Sequence, residues 1–184
     1  MTRIVAGAAK GRRLAVPARG TRPTSERARE ALFNSLQSLL DVSGAAVLDL
    51  FAGSGAVGLE ALSRGAAPVW LVESDRAAAD VIRRNLATVG VADAQVFRTP
   101  AAAFVAGRRP DQPFDVVFLD PPYAFADEHL AALLDGLAER WLAQDAIVVV
   151  ERSARGEPPR WPSSITPLHE RRYGEGVLWY GRAQ

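Results

Sequence analysis

The amino-acid sequence predicts an α/β fold in which helices cover both faces of a parallel β-sheet. Between residues 46 and 150, five short and nearly continuous apolar segments alternate with segments of helical periodicity. Strands this apolar are typical of parallel sheets that are buried on both faces. After about Ile165 the pattern changes, because two strand-like segments flank Gly174-Glu175-Gly176 with no helix between them. This tail predicts a terminal β-hairpin.

The N-terminal region predicts a hairpin followed by a helix. Two short strand candidates, at residues 3–6 and 13–16, are separated by turn-forming glycines. A helix then begins near Pro23-Thr24-Ser25-Glu26, which offers a hydroxyl N-cap and an acidic first turn. Apolar residues at helical spacing continue this helix to about Leu40.

The central region repeats one unit, a strand followed by a helix. The five predicted strands of this region are 46–50, 69–73, 94–98, 114–119 and 146–150. The predicted helices between them are 57–64, 76–86, 100–106 and 128–140. The two strands of the terminal hairpin are predicted at about 165–173 and 177–181.

The composition excludes several classes of protein. With no cysteine among 184 residues, the chain can form no disulfide, no cysteine-ligated metal centre and no cysteine nucleophile. Its two histidines, His129 and His169, are too few for a three-histidine zinc site, and no metal is expected. The sequence has no apolar stretch of the roughly 18 residues that a membrane span needs, and no signal-peptide pattern. No membrane contact and a cytoplasmic location are therefore predicted.

Positive charge is concentrated at the N-terminus. The first 29 residues hold eight basic residues against Glu26 alone, whereas the remaining 155 residues hold 14 basic and 20 acidic residues. A basic segment on a mildly acidic body is typical of polyanion binding, and the alternative is a solvated terminal extension. We predict that residues 1–22 form a basic hairpin extension that contacts nucleic acid. The candidate binding residues are Arg3, Lys10, Arg12, Arg13, Arg19 and Arg22.

A glycine-rich loop follows the first strand of the predicted sheet. Residues 49–58, with the sequence DLFAGSGAVG, contain Gly-x-Gly-x-x-Gly at Gly53, Gly55 and Gly58. Such glycines permit a tight turn and let a ligand approach the backbone. Glu73 ends the next strand, 20 residues after Gly53, where a carboxylate can bind both hydroxyls of a ribose. The spacing predicts an adenosine-containing ligand, and the alternative is a turn in which glycine serves packing alone.

The residue Asp49 distinguishes between the ligands that such a loop can bind. A carboxylate four residues before Gly53 would repel the pyrophosphate of a dinucleotide. S-adenosylmethionine (SAM) instead carries a cationic sulfonium and an ammonium group. These two charges suit a site that Asp49 and Glu73 line, so the sequence favours SAM.

The segment Asp120-Pro121-Pro122-Tyr123 follows the fourth predicted strand. Because open parallel sheets bind ligands at the carboxyl ends of their strands, we expect this segment on the same rim as the glycine loop. Asp120 and the Pro121 carbonyl offer two adjacent acceptors, which match the two hydrogens of an exocyclic amino group. Tyr123 offers a flat face on which a base can stack. The alternative is a turn that ends the strand and places Tyr123 in the core.

These motifs resemble those of SAM-dependent amino-methyltransferases of nucleic acids. The N-terminal segments RIVAG (3–7), GRRL (11–14), RPT (22–24) and RAREALFN (27–34) narrow the resemblance to the bacterial small-subunit rRNA guanine-N2 methyltransferases, the RsmD family. The similarity runs over essentially the whole chain, including Arg172-Tyr173-Gly174 near the C-terminus.

The resemblance implies a fold, a donor and an acceptor. The fold is a class I methyltransferase domain spanning residues 23–184, with a Rossmann-like seven-stranded sheet of order 3-2-1-4-5-7-6 in which strand 7 is antiparallel. The donor is SAM, used without a metal. The acceptor is N2 of a guanine in 16S rRNA, guanine 966, in free rRNA or in an assembling small subunit. The N-terminal extension would then hold RNA.

The resemblance also implies which residues form the site. Thr24 is expected to close over the methionine end of SAM, and Thr99 or backbone groups are the candidate adenine contacts because no Asp or Asn occupies 98–101. The implied catalytic residues are Asp120, Pro121, Pro122 and Tyr123. The candidate cofactor-binding residues are Thr24, Asp49, Phe51, Ala52, Gly53, Gly55, Glu73, Ser74 and Thr99.

Several alternatives stay open on the residues alone. The methyl acceptor could be adenine N6 or a protein glutamine amide instead of guanine N2. A nicotinamide-dependent reductase is less favoured because the chain has no clear catalytic pair and no room for a separate substrate domain. A non-catalytic RNA-binding module is disfavoured by the intact Asp49, Glu73 and Asp120. The sequence does not fix the oligomeric state, and a monomer is expected.

Overall fold

The computed structural model describes residues 1–17 and 25–184, and within them it contains a seven-stranded sheet and a two-stranded hairpin. The strands are β1 (Thr2–Arg3), β2 (Arg13–Leu14), β3 (Val47–Asp49), β4 (Val69–Glu73), β5 (Ala94–Arg98), β6 (Phe114–Leu119), β7 (Leu142–Ser153), β8 (Ile165–Tyr173) and β9 (Gly176–Ala183). The helices are α1 (Glu26–Gln37), α2 (Ala56–Ser63), α3 (Arg76–Val89), α4 (Ala101–Gly107) and α5 (Asp127–Arg140).

The large sheet has the order β5-β4-β3-β6-β7-β9-β8. Strands β3 to β7 pair in parallel, and β9 is antiparallel to both β7 and β8. Numbered from the first strand of this sheet, the order is 3-2-1-4-5-7-6 with strand 7 antiparallel. The predicted class I fold is therefore confirmed.

Both faces of the sheet are covered by helices, as the apolar strands predicted. Helices α1, α2 and α3 pack on one face, where Val47 and Val149 point into the same core. Helices α4 and α5 pack on the other face, where Leu48 and Val150 point. Adjacent residues of a strand thus serve opposite cores, because side chains alternate across a sheet. None of the helices in the described residues combines the length and apolarity that crossing a bilayer requires.

The N-terminal hairpin packs closely against α1, α2 and α3. Ile4 and Leu14 are buried in the same core as these helices. Gly7 has a φ of 82°, and a Cβ there would overlap the Ser63 carbonyl, so this turn requires glycine. The predicted boundary between residues 22 and 23 lies outside the described residues.

Element ends differ from the prediction where tertiary contacts extend or shorten them. Helix α1 begins as predicted with a hydroxyl cap, in which Ser25 Oγ accepts from Ala28 N, but it ends at Gln37. Leu39 and Leu40 still pack against the core from the turn that follows, which explains their apolar spacing. Strand β7 continues to Ser153 because β9 pairs with its second half.

Candidate functional site

Four carboxylates lie at the edge of the sheet where the parallel strand pairing ends, and they form its acidic rim. Asp49 ends β3, Glu73 ends β4, Asp120 follows β6, and Glu151 lies directly after Val150 in β7. The register pairs Leu119 with Val150, so Asp120 and Glu151 occupy neighbouring positions on adjacent strands. The rim is assembled by sheet pairing, since these residues are far apart along the chain.

Asp49 is the most deeply buried member of the acidic rim, with 1% of its surface exposed. Its Oδ2 accepts a hydrogen bond from Gly58 N at 3.2 Å, whereas Oδ1 has no partner within the described residues. Burial, assisted by the nearby Glu73 carboxylate, raises the pKa of Asp49 to about 7 against the opposing amide hydrogen bonds. A buried acceptor with an open position is suited to a cationic ligand.

The glycine loop has the backbone that the motif predicted. Gly53 and Gly55 both have positive φ, at 56° and 79°, and Gly55 caps the start of α2. Such angles are readily adopted by glycine alone. Gly58 instead serves packing, because a Cβ there would lie 2.7 Å from the Leu71 side chain. The first two glycines shape the turn, and the third lets α2 approach β4.

Glu73 is held against the glycine loop. Its Oε2 accepts from Gly53 N and its Oε1 accepts from Asp75 N, each at 2.8 Å. Each carboxylate oxygen keeps a second lone pair, so both can still accept from a diol. Thr99 lies beside Glu73, since Thr99 N donates to the Glu73 carbonyl at 3.1 Å. Ser74 is exposed between the two acidic residues.

The remaining loop residues are Phe51, which is partly buried, and Ala52, which is buried. Ala52 is 8% exposed, and its N–H donates to the Val72 carbonyl. Phe51 is partly buried and meets Phe125 edge to face, with the ring centroids 5.4 Å apart. Phe51 therefore links the glycine loop to the segment that follows β6.

The Asp-Pro-Pro-Tyr segment forms a tight turn on the acidic rim. Pro121 is buried, and Pro122 accepts a hydrogen bond at its carbonyl from Phe125 N at 2.8 Å. Tyr123 is 65% exposed. This exposure removes the alternative in which Tyr123 belongs to the core. Its ring is available for contact with another molecule.

Asp120 lies partly buried in a strongly negative setting. Burial, with the Glu151 and Asp49 carboxylates nearby, raises the pKa of Asp120 to about 8. Glu151 is the functional candidate that the sequence reasoning missed. The signal was present, because Glu151 follows the fifth predicted strand just as Asp120 follows the fourth.

The chain matches the family model described as "Conserved hypothetical protein 95" over residues 2–182. It is 40% identical over 176 residues to "Ribosomal RNA small subunit methyltransferase D" of Escherichia coli, covering 94% of this chain and 85% of that protein. The protein of the same name in Haemophilus influenzae is 37% identical over 177 residues, covering 94% and 89%. The chain belongs to the RsmD family. The resemblance that the N-terminal segments indicated is thereby confirmed.

Solved structures support the RsmD-family fold. The structure of yhhF from Escherichia coli is 38% identical, covers 99% of this chain and 97% of that one, and superposes with a TM-score of 0.87. The structure described as "SMU.776, a putative methyltransferase complexed with SAH" is 15% identical and has a TM-score of 0.70 over 85% of this chain and 48% of that one. At that identity the second match shows the fold alone.

In this RsmD-family chain, the predicted RNA-binding residues differ in their surroundings. Arg3 pairs with Glu26 at 2.9 Å on the surface. Arg12 donates to the Thr88 and Val89 carbonyls, both at 2.6 Å, in the last turn of α3. Lys10 and Arg13 are exposed. The predicted residues that lie outside the described part of the chain are Arg19, Arg22 and Thr24.

The end of α3 that Arg12 contacts is remote from the acidic rim. Helix α3 begins just after Glu73, and its 14 residues span about 21 Å. Arg12 therefore stabilises the opposite end of the domain. A separate cavity of about 390 Å³ lies between the N-terminal hairpin and the start of α1. Its lining includes Arg3, Lys10 and Arg27, and none of the four rim carboxylates.

Proposed function

We propose that this chain transfers the methyl group of SAM to N2 of a guanine in small-subunit rRNA. The proposal rests on one observation: the residues suited to SAM and the residues suited to an amino group lie on the same rim of the sheet. Asp49 and Glu73 flank the glycine loop, and Asp120 stands beside them on the next strand with Tyr123 exposed. The similarity to small-subunit rRNA methyltransferases supports RNA as the acceptor.

The glycine loop and its acids fit SAM. The unpartnered Oδ1 of Asp49 supplies a buried negative charge for the cationic methionine end. Glu73 would accept from the ribose hydroxyls, and Thr99 lies beside it for the adenine. Gly53 and Gly55 have the positive φ angles that shape the turn against which SAM would lie. When bound, SAM supplies an electrophilic methyl group on its sulfonium.

Asp120 and the Pro121 carbonyl would hold the guanine amino group. The lone pair of this nitrogen is conjugated with the ring, so the nitrogen is a poor nucleophile. Hydrogen bonds to two acceptors favour a pyramidal nitrogen and stabilise the positive charge that develops on it. Stacking on Tyr123 would hold the flipped base, at roughly 1–3 kcal/mol per base.

Exposed basic residues of the N-terminal hairpin would hold RNA phosphates. Lys10 and Arg13 are exposed, whereas Arg12 is engaged at the end of α3. Phosphate contacts of this kind position a substrate without reading its sequence. The contribution of Arg19 and Arg22, the role of Thr24 and a cytoplasmic location stay predictions from the sequence.

The proposal is tested by assaying methyl transfer from tritiated SAM to four acceptors. These are unmodified 16S rRNA, assembled small subunits, duplex DNA and a protein extract. We expect label in the RNA or the subunits, recovered as N2-methylguanosine after digestion to nucleosides. Label recovered as N6-methyladenosine, or in protein glutamine, would assign the alternative acceptors and overturn the proposal.

A further inference from the structure

Glu151 shares one face of the sheet with the acids already assigned to the site. Val149 points into the core beneath α1 and Val150 into the opposite core, so Glu151 returns to the face of Val149. The same alternation brings Asp120 onto the face of Phe118. The register joins these positions, because Phe118 pairs with Val149 and Leu119 with Val150.

The Glu151 side chain has room in the structure, but one of its carboxylate oxygens lacks a hydrogen-bond partner within the described residues. Its Oε2 is buried and has no hydrogen-bond partner within the described residues. A Cβ at Gly176 of β9 would lie 3.1 Å from Oε1, so glycine at that position leaves room for the carboxylate. The next residue, Arg152, faces the other way and donates to Asp127 at 2.6 Å and to the Phe125 carbonyl at 3.1 Å.

The surroundings of Glu151 favour protonation. Burial raises the pKa of Glu151, and the charge of Glu151 contributes to the raised pKa of Asp120. The other titratable groups that act on this pair, in residues 1–17 and 25–184, are the Asp49 carboxylate from β3 and the Tyr180 phenol from β9. Two neighbouring carboxylates in such a setting titrate as one system.

We propose that Glu151 is a positioning residue for methyl transfer, and that its carboxyl group shares one proton with that of Asp120. The inference rests on the proposed function. As the N–CH₃ bond forms and the S–CH₃ bond breaks, the amino nitrogen becomes positively charged. One of its protons passes to Asp120, so the pair changes from one proton to two, and the methylated amine is neutral. The pair then releases a proton to solvent, which restores it.

Substitution Glu151→Gln tests this pairing, because glutamine keeps the shape and removes the charge. Without the neighbouring charge, Asp120 should ionise at lower pH. We expect the acid limb of the single-turnover pH profile to move by about one unit toward lower pH. The rate at the optimum should fall at least about tenfold, as expected when a proton acceptor is impaired. Glu151→Asp should retain part of the wild-type profile, and the exposed Glu139→Gln should retain all of it.

A second readout does not depend on activity. In protein with ¹³C-labelled carboxyl groups, NMR titration reports the ionisation of Asp120 directly. We expect Asp120 to titrate about one unit lower in the Glu151→Gln variant, both with and without bound SAH. An unchanged Asp120 titration, or an unchanged pH profile, would overturn the inference. Failure of wild-type protein to methylate RNA would instead contradict the proposed function, while the titration still decides whether the two carboxyls are paired.

Discussion

Two buried carboxylates on the same face of the sheet have opposite surroundings. Glu60 of α2 is 0% exposed and accepts from Val5 N at 2.8 Å and Ala6 N at 2.9 Å. It also pairs with Arg29 at 3.4 Å and Arg64 at 3.0 Å. Asp49 is equally buried, yet its Oδ1 has no partner within the described residues.

The difference separates a group that holds the fold together from groups that, in the proposed function, bind a ligand. An ionised side chain costs several kcal/mol to bury unless partners compensate for the lost water. Around Glu60 the N-terminal hairpin and α1 supply those partners. Around Asp49, Asp120 and Glu151 the strands bring further carboxylates and, within the part of the chain that the structure describes, no ion-pair partner, although Asp49 accepts from the Gly58 amide. In the proposed function, the compensating positive charge comes from bound SAM.

The largest expected effect is on catalysis at the acidic rim. Asp120→Ala should reduce turnover by about 10³-fold, the scale seen when one group that stabilises the transition state is removed. Affinity for SAM, measured by calorimetry, should stay close to that of wild type, because Asp120 is assigned to the acceptor. The exposed Asp111→Ala serves as the control. Equal losses of turnover and SAM affinity would indicate a structural role for Asp120. They would contradict the contrast between Glu60 and the acidic rim.

Removing Glu60, whose charge is compensated by its partners, should lower the stability of the fold more than the rate of methyl transfer. Glu60→Ala removes a carboxylate that pairs with the buried Arg29, so we expect the free energy of unfolding to fall by about 3–5 kcal/mol. Urea denaturation measures this loss, and the exposed Glu139→Ala should change it by less than about 0.5 kcal/mol. If Glu60→Ala were as stable as the control, the Glu60 network would not be holding the hairpin to the domain.

Asp49→Asn should stabilise the ligand-free protein, whereas Glu60→Ala should destabilise it. Because the folded state holds the pKa of Asp49 at about 7, above its ordinary value of 3.8, the folded state binds more protons between those values. Ionisation of Asp49 therefore lowers stability as the pH rises from about 4 to 7. We expect the variant to exceed wild type by up to a few kcal/mol above pH 7 and to match it below pH 4, as measured by thermal unfolding.

The same substitution of Asp49 should weaken SAM binding at pH 8, where wild type carries the charge. Calorimetry at two pH values tests this. A variant that is no more stable than wild type at high pH would show that Asp49 is already satisfied, as Glu60 is.

The smallest effect is expected on the outer surface of the hairpin. The double substitution Lys10→Gln and Arg13→Gln should weaken RNA binding a few-fold. It should also reduce the slope of log affinity against log salt by roughly 0.7 for each phosphate that is no longer neutralised. Filter binding at several salt concentrations measures both quantities. Arg12→Gln is the informative contrast, since it should lower stability more than RNA affinity. An unchanged slope in the double variant would exclude these residues as phosphate ligands.

Much of the molecule could be predicted from local sequence alone. Strand β4, strand β5 and strand β6 have the predicted bounds, because their apolar character and their flanking turns are local properties. The glycine loop and Asp-Pro-Pro-Tyr could be located in the same way, because each motif immediately follows a predicted strand. The sheet order came from the family resemblance rather than from periodicity, which contains no information about which strands pair.

The sequence by itself determined the fold class, the glycine loop with Glu73, and the position of Asp120 and Tyr123 after the fourth strand. Tertiary structure alone decided that Glu151 joins Asp120, that Glu60 is satisfied by the hairpin, and that Arg12 supports the far end of α3. Each of these contacts joins residues that are distant in the chain. Their distance is set by strand register and helix packing, and a buried charge is recognised as satisfied or unsatisfied only when its neighbours are known.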